Sequence, residues 1–404
     1  MYWIRKMFVG KYKRYLLFCT IVPVVIMVLS YLFGNIAYPL KLDTQKYALF
    51  EYFGRGWFNA GEDLNDAVFV NVSYDKMLIV DTCDLPDTNR KAVITDRGTL
   101  LQFLKKVEGL NYRYLFLDIM FDEKSGHSEY DSALVAQLLS MRDVAIIKHW
   151  DIGGGKADPM IDSRLDSIAY FCDFDELRTN AGFFNYKYLQ YGEPSIALAM
   201  YNKMTERGIK RFGPLYFDGC KLCHNVLFLT IHTSMEYDAG EGGSHFYWDM
   251  GPNLLYDSIY FWEDFSDTVN GRYLIVGDMK NDMHDTYAHK QPGAYLHYLG
   301  FLSLMKGNHI VRWWSLLLLL TYALISFIIL QGLSREETRW RLLRWIEARP
   351  LLHFTCTLLG YGFCLFLLSA LFYFCFDTAY NIFIPSFSFA LLSNYVQFKK
   401  SKRK

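Results

Sequence analysis

Charge is missing from four long stretches of this sequence. Residues 15–40, 313–334, 350–376 and 378–398 contain no Asp, Glu, Lys or Arg over 26, 22, 27 and 21 residues. Net charge is missing too, because 42 basic and 42 acidic side chains cancel. That excludes a basic nucleic-acid binder and an acidic disordered tail. Also absent are a nucleophile elbow, a phosphate-binding glycine loop, a zinc signature and the kinase motifs. There is no internal repeat and no low-complexity tract. On these grounds the chain reads as a non-enzyme with no catalytic residue and no cofactor.

What is present explains the gaps. A helix needs about 20 mostly apolar residues to cross the hydrocarbon core of a bilayer. All four windows meet that length, and the first three are dense in Leu, Ile, Val and Phe. The fourth holds Pro385 and several hydroxyls, which membrane helices tolerate. Four transmembrane helices are therefore expected, one N-terminal and three C-terminal. The first is expected to stay as an anchor, because its apolar core exceeds the roughly 7–15 residues of a signal peptide and no Ala-x-Ala site follows. The windows lack the acidic and basic groups that a transporter's ion relay uses.

The charges sort by segment. Residues 1–14 carry +5, the Arg-rich loop 335–349 carries +2 and the tail 399–404 carries +5. Residues 41–311 hold 26 basic and 38 acidic groups, a balance of −12. Basic segments that flank spans stay on the cytoplasmic side. Both termini and loop 335–349 are thus expected in the cytoplasm of a cell with this protein in its inner membrane, and residues 41–311 outside. Trp340 and Trp345 among the loop arginines fit either an interfacial helix on anionic lipid or a plain basic loop. Trp313 and Trp314 fall where an outer aromatic belt belongs.

Within 41–311, apolar strand-like runs alternate with amphipathic helical ones. Strands are expected at 68–73, 112–118, 144–148, 226–232 and 272–276, and helices at 96–109, 132–141, 195–207 and 293–305. The helix at 96–109 keeps Leu100, Leu101, Leu104 and Val107 on one face. This alternation implies an α/β domain with a largely parallel sheet and flanking helices. Residues 153–155 and 240–244 read as loops.

Several short motifs lie on these elements. Arg97 opens a helix, Asp118-Ile-Met-Phe121 ends a strand and Asp131-x-x-Leu134 follows. The strand 272–277 leads to Asp285-Thr286 and then to Pro292-Gly293-Ala-Tyr-Leu-His297. Together they resemble the extracytoplasmic sensor domain called CHASE (cyclases/histidine kinases associated sensory extracellular), type two. Asp96 stands where that family often has Trp-Pro, Thr286 lacks the usual following Pro, and Tyr298 replaces a small residue. The resemblance implies one N-terminal span, an outer α/β sensor and three further spans. It also implies a ligand-binding role for the matching positions. Family members usually continue into a cyclase, kinase or phosphatase, and only six residues follow the fourth window here. Output is therefore expected through a separate signalling or envelope protein. The bilayer is the other expected partner, a homo-oligomer is open to the chain, and nucleic acid is not expected.

The candidate ligand-binding set is Arg97, Asp118, Asp122, Asp131, Asp285, Thr286 and His297. Asp118 and Asp122 sit at a strand C-terminus, where open parallel sheets bind ligands. The plainer reading is that Asp118 organises its loop, Asp131 caps the next helix and His297 is packed. Asp282, His284, Asp285 and His289 are weaker metal candidates. Cys220-Lys-Leu-Cys223-His224 has the spacing of covalent haem attachment, although its flanks read as strands rather than a helix. Cys83, Cys172, Cys220 and Cys223 are an even number in an oxidising compartment, with disulfides and free thiols both open. Cys19, Cys356, Cys364 and Cys375 lie in the uncharged windows and read as small apolar residues. The sequence thus supports a multi-pass membrane sensor, a non-signalling envelope scaffold, or a haem-bearing redox protein, in that order.

Overall fold

The computed structural model describes residues 11–36, 46, 49–50, 53, 66–82, 89–151, 156–157, 159–172, 185–190, 192–229, 247–256, 258–286, 290–331, 345–346, 349–376 and 380–402. The helices in chain order are α1 (Lys11–Ile36), α2 (Arg97–Val107), α3 (Ser128–Ser140), α4 (Ile196–Thr205), α5 (Ser258–Val269), α6 (Gly293–Met305), α7 (Ser315–Gln331), α8 (Pro350–Phe376) and α9 (Phe383–Ser401). The chain divides into two compact units. Arg55–Ile209 with Asn225–His309 form the α/β unit, and Met1–Gly54, Lys210–His224 and Ile310–Lys404 form the other.

The α/β unit is built on strands β1 (Ala67–Asn71), β2 (Tyr114–Asp118), β3 (Val144–Lys148), β4 (Ala169–Phe171), β5 (Tyr247–Asp249) and β6 (Tyr273–Gly277). They lie in the order β5-β1-β6-β2-β3-β4 and every pairing is parallel. Such a sheet is covered on both faces, so its strands read as continuous apolar runs. One face sends Val68, Val70, Leu115, Leu117, Ile146, Leu274 and Val276 against Leu100 and Leu104 of α2, Leu134 and Leu138 of α3 and Phe265 of α5. On the other face Phe69 meets Tyr295 and Tyr298 of α6, and Phe116 meets His297 edge-on at 5.8 Å. The expected largely parallel sheet with flanking helices is therefore what the chain forms.

Local chemistry sets the helix ends. Asp96 caps α2 by accepting from the Thr99 N–H at 2.7 Å, and Lys105 and Lys106 meet the negative end of the helix dipole. Ser195 caps α4 through the Leu198 N–H. The helix expected at 132–141 begins instead at Ser128, with His127 before it. Asp131 is consequently inside the first turn and is not the cap. The strand expected over 226–232 is described only as Val226–Phe228, and it pairs antiparallel with Asn185–Lys187 outside the main sheet.

Among the described residues the second unit holds four long helices with an apolar interior of Ile26, Leu318, Tyr322, Leu365, Phe372, Phe389, Leu392 and others. Their outer faces are apolar as well. Leu359, Phe363, Leu367 and Leu371 of α8 recur every four residues at 52–67% exposure. Leu17, Ile21, Val24 and Val28 of α1, Leu316, Leu320 and Leu324 of α7, and Phe383, Phe387, Leu391 and Tyr395 of α9 form similar exposed rows at three- or four-residue spacing. A soluble helix points such a stripe inward. Two helices, α1 over Leu17–Asn35 and α8, are long and apolar enough to cross a membrane. Of the four expected spans, these two meet that length among the described residues, and the other two windows hold helices described over a shorter apolar stretch. Trp313 and Trp314 precede α7, which is described over 17 residues. The Asn381 side chain caps α9 at the Ile384 N–H, so residues 380–382 are not helical, and the helix runs on through Lys399 and Lys400.

Residues 210–224 belong to this unit rather than to the α/β unit. There the hairpin of Leu215–Asp218 and Lys221–Cys223 is tied to α1 by Tyr31, whose hydroxyl donates to the Cys223 carbonyl at 2.8 Å and accepts from the Tyr216 N–H at 3.2 Å. The loops at 153–155 and 240–244 lie outside the described residues. So does most of the Arg-rich loop, of which Arg349 stacks over the Trp345 ring at 4.0 Å.

Phe103 of α2 is fully buried against Phe265 of α5. Phe103→Ala should lower the stability of the α/β unit by about 3–5 kcal/mol, read from the denaturation midpoint followed by tryptophan fluorescence.

Candidate functional site

The polar residues of the α/β unit gather at the carboxyl edge of its sheet, because register brings the last residues of β1, β6 and β2 side by side. Asn71 pairs with Gly277, and Gly277 with Asp118. Gly277 is where α6 comes closest to the sheet. A Cβ there would stand 2.8 Å from the Ala294 Cβ and 3.1 Å from the Asp118 Cβ. Only glycine lets the helix start this near the strand ends.

Two polar clusters result, and they differ in how well they are satisfied. The first surrounds Asn71 and Asp278. Asn71 donates to Asp249 at 2.6 Å and accepts from the Ser73 and Met279 N–H groups. Asp278 accepts from the Ser73 hydroxyl and the Asn281 N–H, and pairs with Lys76 at 3.0 Å. Burial alone would raise the Asp278 carboxyl, but these donors outweigh it and hold it well below the usual carboxylate range. Beside them, burial raises the Asp75 carboxyl even though it accepts from the Gly251 N–H.

The second cluster sits over the first turn of α6. Gly293 has no side chain, and three polar atoms converge where one would be. Asp282 Oδ2 is 2.5 Å from that position, and Asp118 Oδ2 and His284 Nε2 are each 3.2 Å from it. His284 Nε2 pairs with Asp282 Oδ1 at 3.2 Å. Asp282 and His284 reach solvent, whereas Asp118 Oδ2 is buried with no hydrogen-bond partner among the described residues. Burial, then the Asp282 charge, push the Asp118 carboxyl up to about 8, and His284 and His149 partly offset them. A buried acceptor without a donor costs about 1–3 kcal/mol, so this cluster is unfinished where the first is complete.

The expected ligand set does not assemble as one group. Arg97 is fully buried under the β2–α3 connection, where Nη2 donates to the Met120 carbonyl at 2.9 Å and the guanidinium lies 4.5 Å from the Phe121 ring centre. Burial brings its pKa down to about 10, opposed by the charges of Asp131 and Asp122. Asp131 accepts from the Ser125 N–H at 3.0 Å, so it fastens the same connection. Asp122 is exposed, and exposed Asp285 faces Lys290 at 3.8 Å rather than the Asp118 cluster. Thr286 is half-buried beside it. His297 is buried one turn into α6, with Nδ1 2.9 Å from the Tyr186 hydroxyl. Burial, then His284 and His149, hold the His297 imidazole well below its ordinary range, so it is neutral.

Of the metal candidates, Asp282 and His284 come together, Asp285 points elsewhere and His289 lies outside the described residues. Among the described residues no three His, Cys, Asp or Glu side chains are arranged to hold a metal ion. Cys220 is exposed at the hairpin turn, Cys223 is buried in its second strand and His224 follows with its ring 5.1 Å from that of Tyr31. Extended backbone, not a helix, carries this motif. Cys172, Cys220 and Cys223 are not disulfide-bonded, and Cys83 lies outside the described residues. Cys172 instead stands 3.6 Å from His149, both just past strand ends.

Residues missed in the sequence include Asn71, Ser73, Asp249, Asp278, His149 and Tyr186. Asn71 and Asp278 each end or follow a strand on the carboxyl side, a signal that strand assignment alone could have used. Nothing local marks Tyr186, which is brought to His297 from 111 residues away.

Two outcomes follow from this geometry. Gly277→Ala should destabilise the α/β unit by about 1–3 kcal/mol, seen as a lowered denaturation midpoint. Because the Asp278 carboxyl is held low, it stabilises the fold above the ordinary carboxylate pKa of about 4, and this is lost as pH falls further. Asp278→Asn should lower the midpoint at pH 7 and flatten the acid limb of the stability–pH curve below pH ~4. No protein-family model, no curated protein and no solved structure matches the chain.

Proposed function

We propose that this chain is a multi-pass membrane sensor of the CHASE-like kind. Its α/β unit receives a signal at the carboxyl edge of the sheet, and its apolar helices pass the change to a separate partner chain. The observation that carries this reading is the apolar stripe that α1, α7, α8 and α9 each turn outward. In water such faces are an aggregation liability, and in lipid they are solvated. Four crossings are part of the proposal, the uncharged window 313–334 supplying the one that contains α7. Residues 41–311 would then lie outside the cytoplasm, as the segregation of charge suggests.

The α/β unit supports an input role because its Asp118 cluster is unfinished beside a finished one. A signal alters the fold only if it binds two conformations unequally. The chain from α6 to α7 is short, spanning residues 306–314.

Reporter fusions and crosslinking test the reading. Green fluorescent protein fused after Lys404 should fluoresce, and a membrane-impermeant thiol reagent should label a cysteine introduced at Lys306 in intact spheroplasts. A dark C-terminal fusion, or labelling only after lysis, would refute the orientation. In-cell crosslinking should capture a chain with a kinase, cyclase or phosphatase domain, whereas capture of an envelope enzyme complex alone would favour a scaffold.

A further inference from the structure

We propose that the signal received at the carboxyl edge is the proton itself, and that Asp118, Asp282 and His284 form a proton-operated latch over the first turn of α6. This rests on the sensor reading above and narrows its ligand to a single species. The argument begins with space. The Gly293 Cβ position is within 3.2 Å of three polar atoms, and the Gly277 Cβ position is within 3.1 Å of Ala294 and Asp118 carbons. A further heavy atom at either point would overlap its neighbours. Asp118 as a residue is half-buried, but its Oδ2 is sealed from solvent and accepts no hydrogen bond from the described residues. The species that can reach it without prising α6 off the sheet is a proton, delivered through the solvent-facing Asp282–His284 pair.

The surrounding charges are arranged for titration. Asp282 and His284 face Asp118 from the hairpin of Met283–Asp285 and Lys290–Pro292, His149 from the end of β3 and Asp278 from the end of β6. His297 and its Tyr186 partner lie behind, on the α6 side. Burial and the carboxylates Asp282 and Asp278 favour the protonated acid, while His284, His149 and the positive end of the α6 dipole favour the anion. Burial and the carboxylates outweigh the opposing charges, which puts the transition near pH 8.

Each state has a structural consequence. Protonated, Asp118 is neutral and Asp282 can stay against Gly293, where the Gly293 N–H also donates to the Asp282 carbonyl at 3.0 Å. Deprotonated, two carboxylates face each other across Gly293, and the segment that carries Asp282 and leads into α6 is pushed away. Since the folded state holds this proton more tightly than the unfolded chain, stability falls as pH rises from the ordinary carboxylate value toward about 8. The acid form is the closed one.

Infrared difference spectroscopy of the full chain in lipid nanodiscs tests this, with the protonated-carboxyl C=O stretch followed between pH 6 and 9.5. The wild type should lose one such band with a midpoint near pH 8, and Asp118→Asn should lack it. Asp282→Asn removes the nearest like charge and should move the midpoint down by about one pH unit or more. It also keeps the test usable should Asp118→Asn fail to fold. Amide exchange in Gly293–His297, corrected for intrinsic rates, should rise at least tenfold across the same range in the wild type and stay flat in Asp118→Asn. A wild type without the band, a band retained in Asp118→Asn, or a midpoint unmoved in Asp282→Asn overturns the latch. So does a Mn2+-dependent stabilisation that Asp118→Asn abolishes in the absence of any pH transition. If the pH transition is present but crosslinks among α1, α7, α8 and α9 are the same at both pH values, the latch stands and the sensor reading fails. If small molecules change those crosslinks and pH does not, the sensor reading stands and the latch is wrong.

Discussion

The approach of α6 to the sheet at Gly277 governs the polar chemistry of the α/β unit. A helix that begins 2.8 Å from where a side-chain carbon would be leaves no room for water between its first turn and the strand ends. Every polar atom trapped there must find a partner in the protein or go without. Around Asn71 and Asp278 the turns after β1 and β6 supply enough N–H donors and a lysine, and the carboxylate stays charged. Around Asp118 one carboxyl oxygen finds no donor among the described residues, and burial and the Asp282 charge push the carboxyl up to about 8. The same close packing thus produces one satisfied corner and one unsatisfied corner, at the ends of neighbouring strands.

The apolar parts of this arrangement were legible in the sequence. Parallel strands buried on both faces announce themselves as runs such as Tyr-Leu-Phe-Leu and Tyr-Leu-Ile-Val, and α2 showed its face through Leu100, Leu101, Leu104 and Val107. Pro292-Gly293 marked the start of α6 to the residue. The polar parts were harder to read, because a lone Asp at a strand end looks the same whether its partners come from the next turn or from a distant hairpin. Asp131 illustrates the point. Its position before an apolar run suggested a cap, yet Ser128 starts the helix earlier and the carboxylate turns back to the Ser125 N–H. Arg97 and Asp118 belong to one candidate set in the sequence but serve different ends, the first as a fastener beneath a loop and the second at the edge above it.

The apolar helices reverse the balance between sequence and structure. Their uncharged windows are conspicuous, but a window is not a helix. Asn381 diverts the chain for three residues before α9 begins, and two tryptophans stand ahead of α7. What the windows could not reveal is that both faces of these helices are apolar, one against the other helices and one outward. That distinction needs the fold, since composition alone cannot assign a leucine to either side.

Tyr31 sets a limit on how α1 can move. Its hydroxyl is held by a carbonyl and an amide from opposite strands of the 215–223 hairpin, and both bonds are short enough to be strained by small displacements. A stroke along the helix axis of one residue, about 1.5 Å, would break at least one of them, and a quarter turn would break both. Helix and hairpin therefore travel as a single rigid lever, with the hydroxyl of one tyrosine as its rivet.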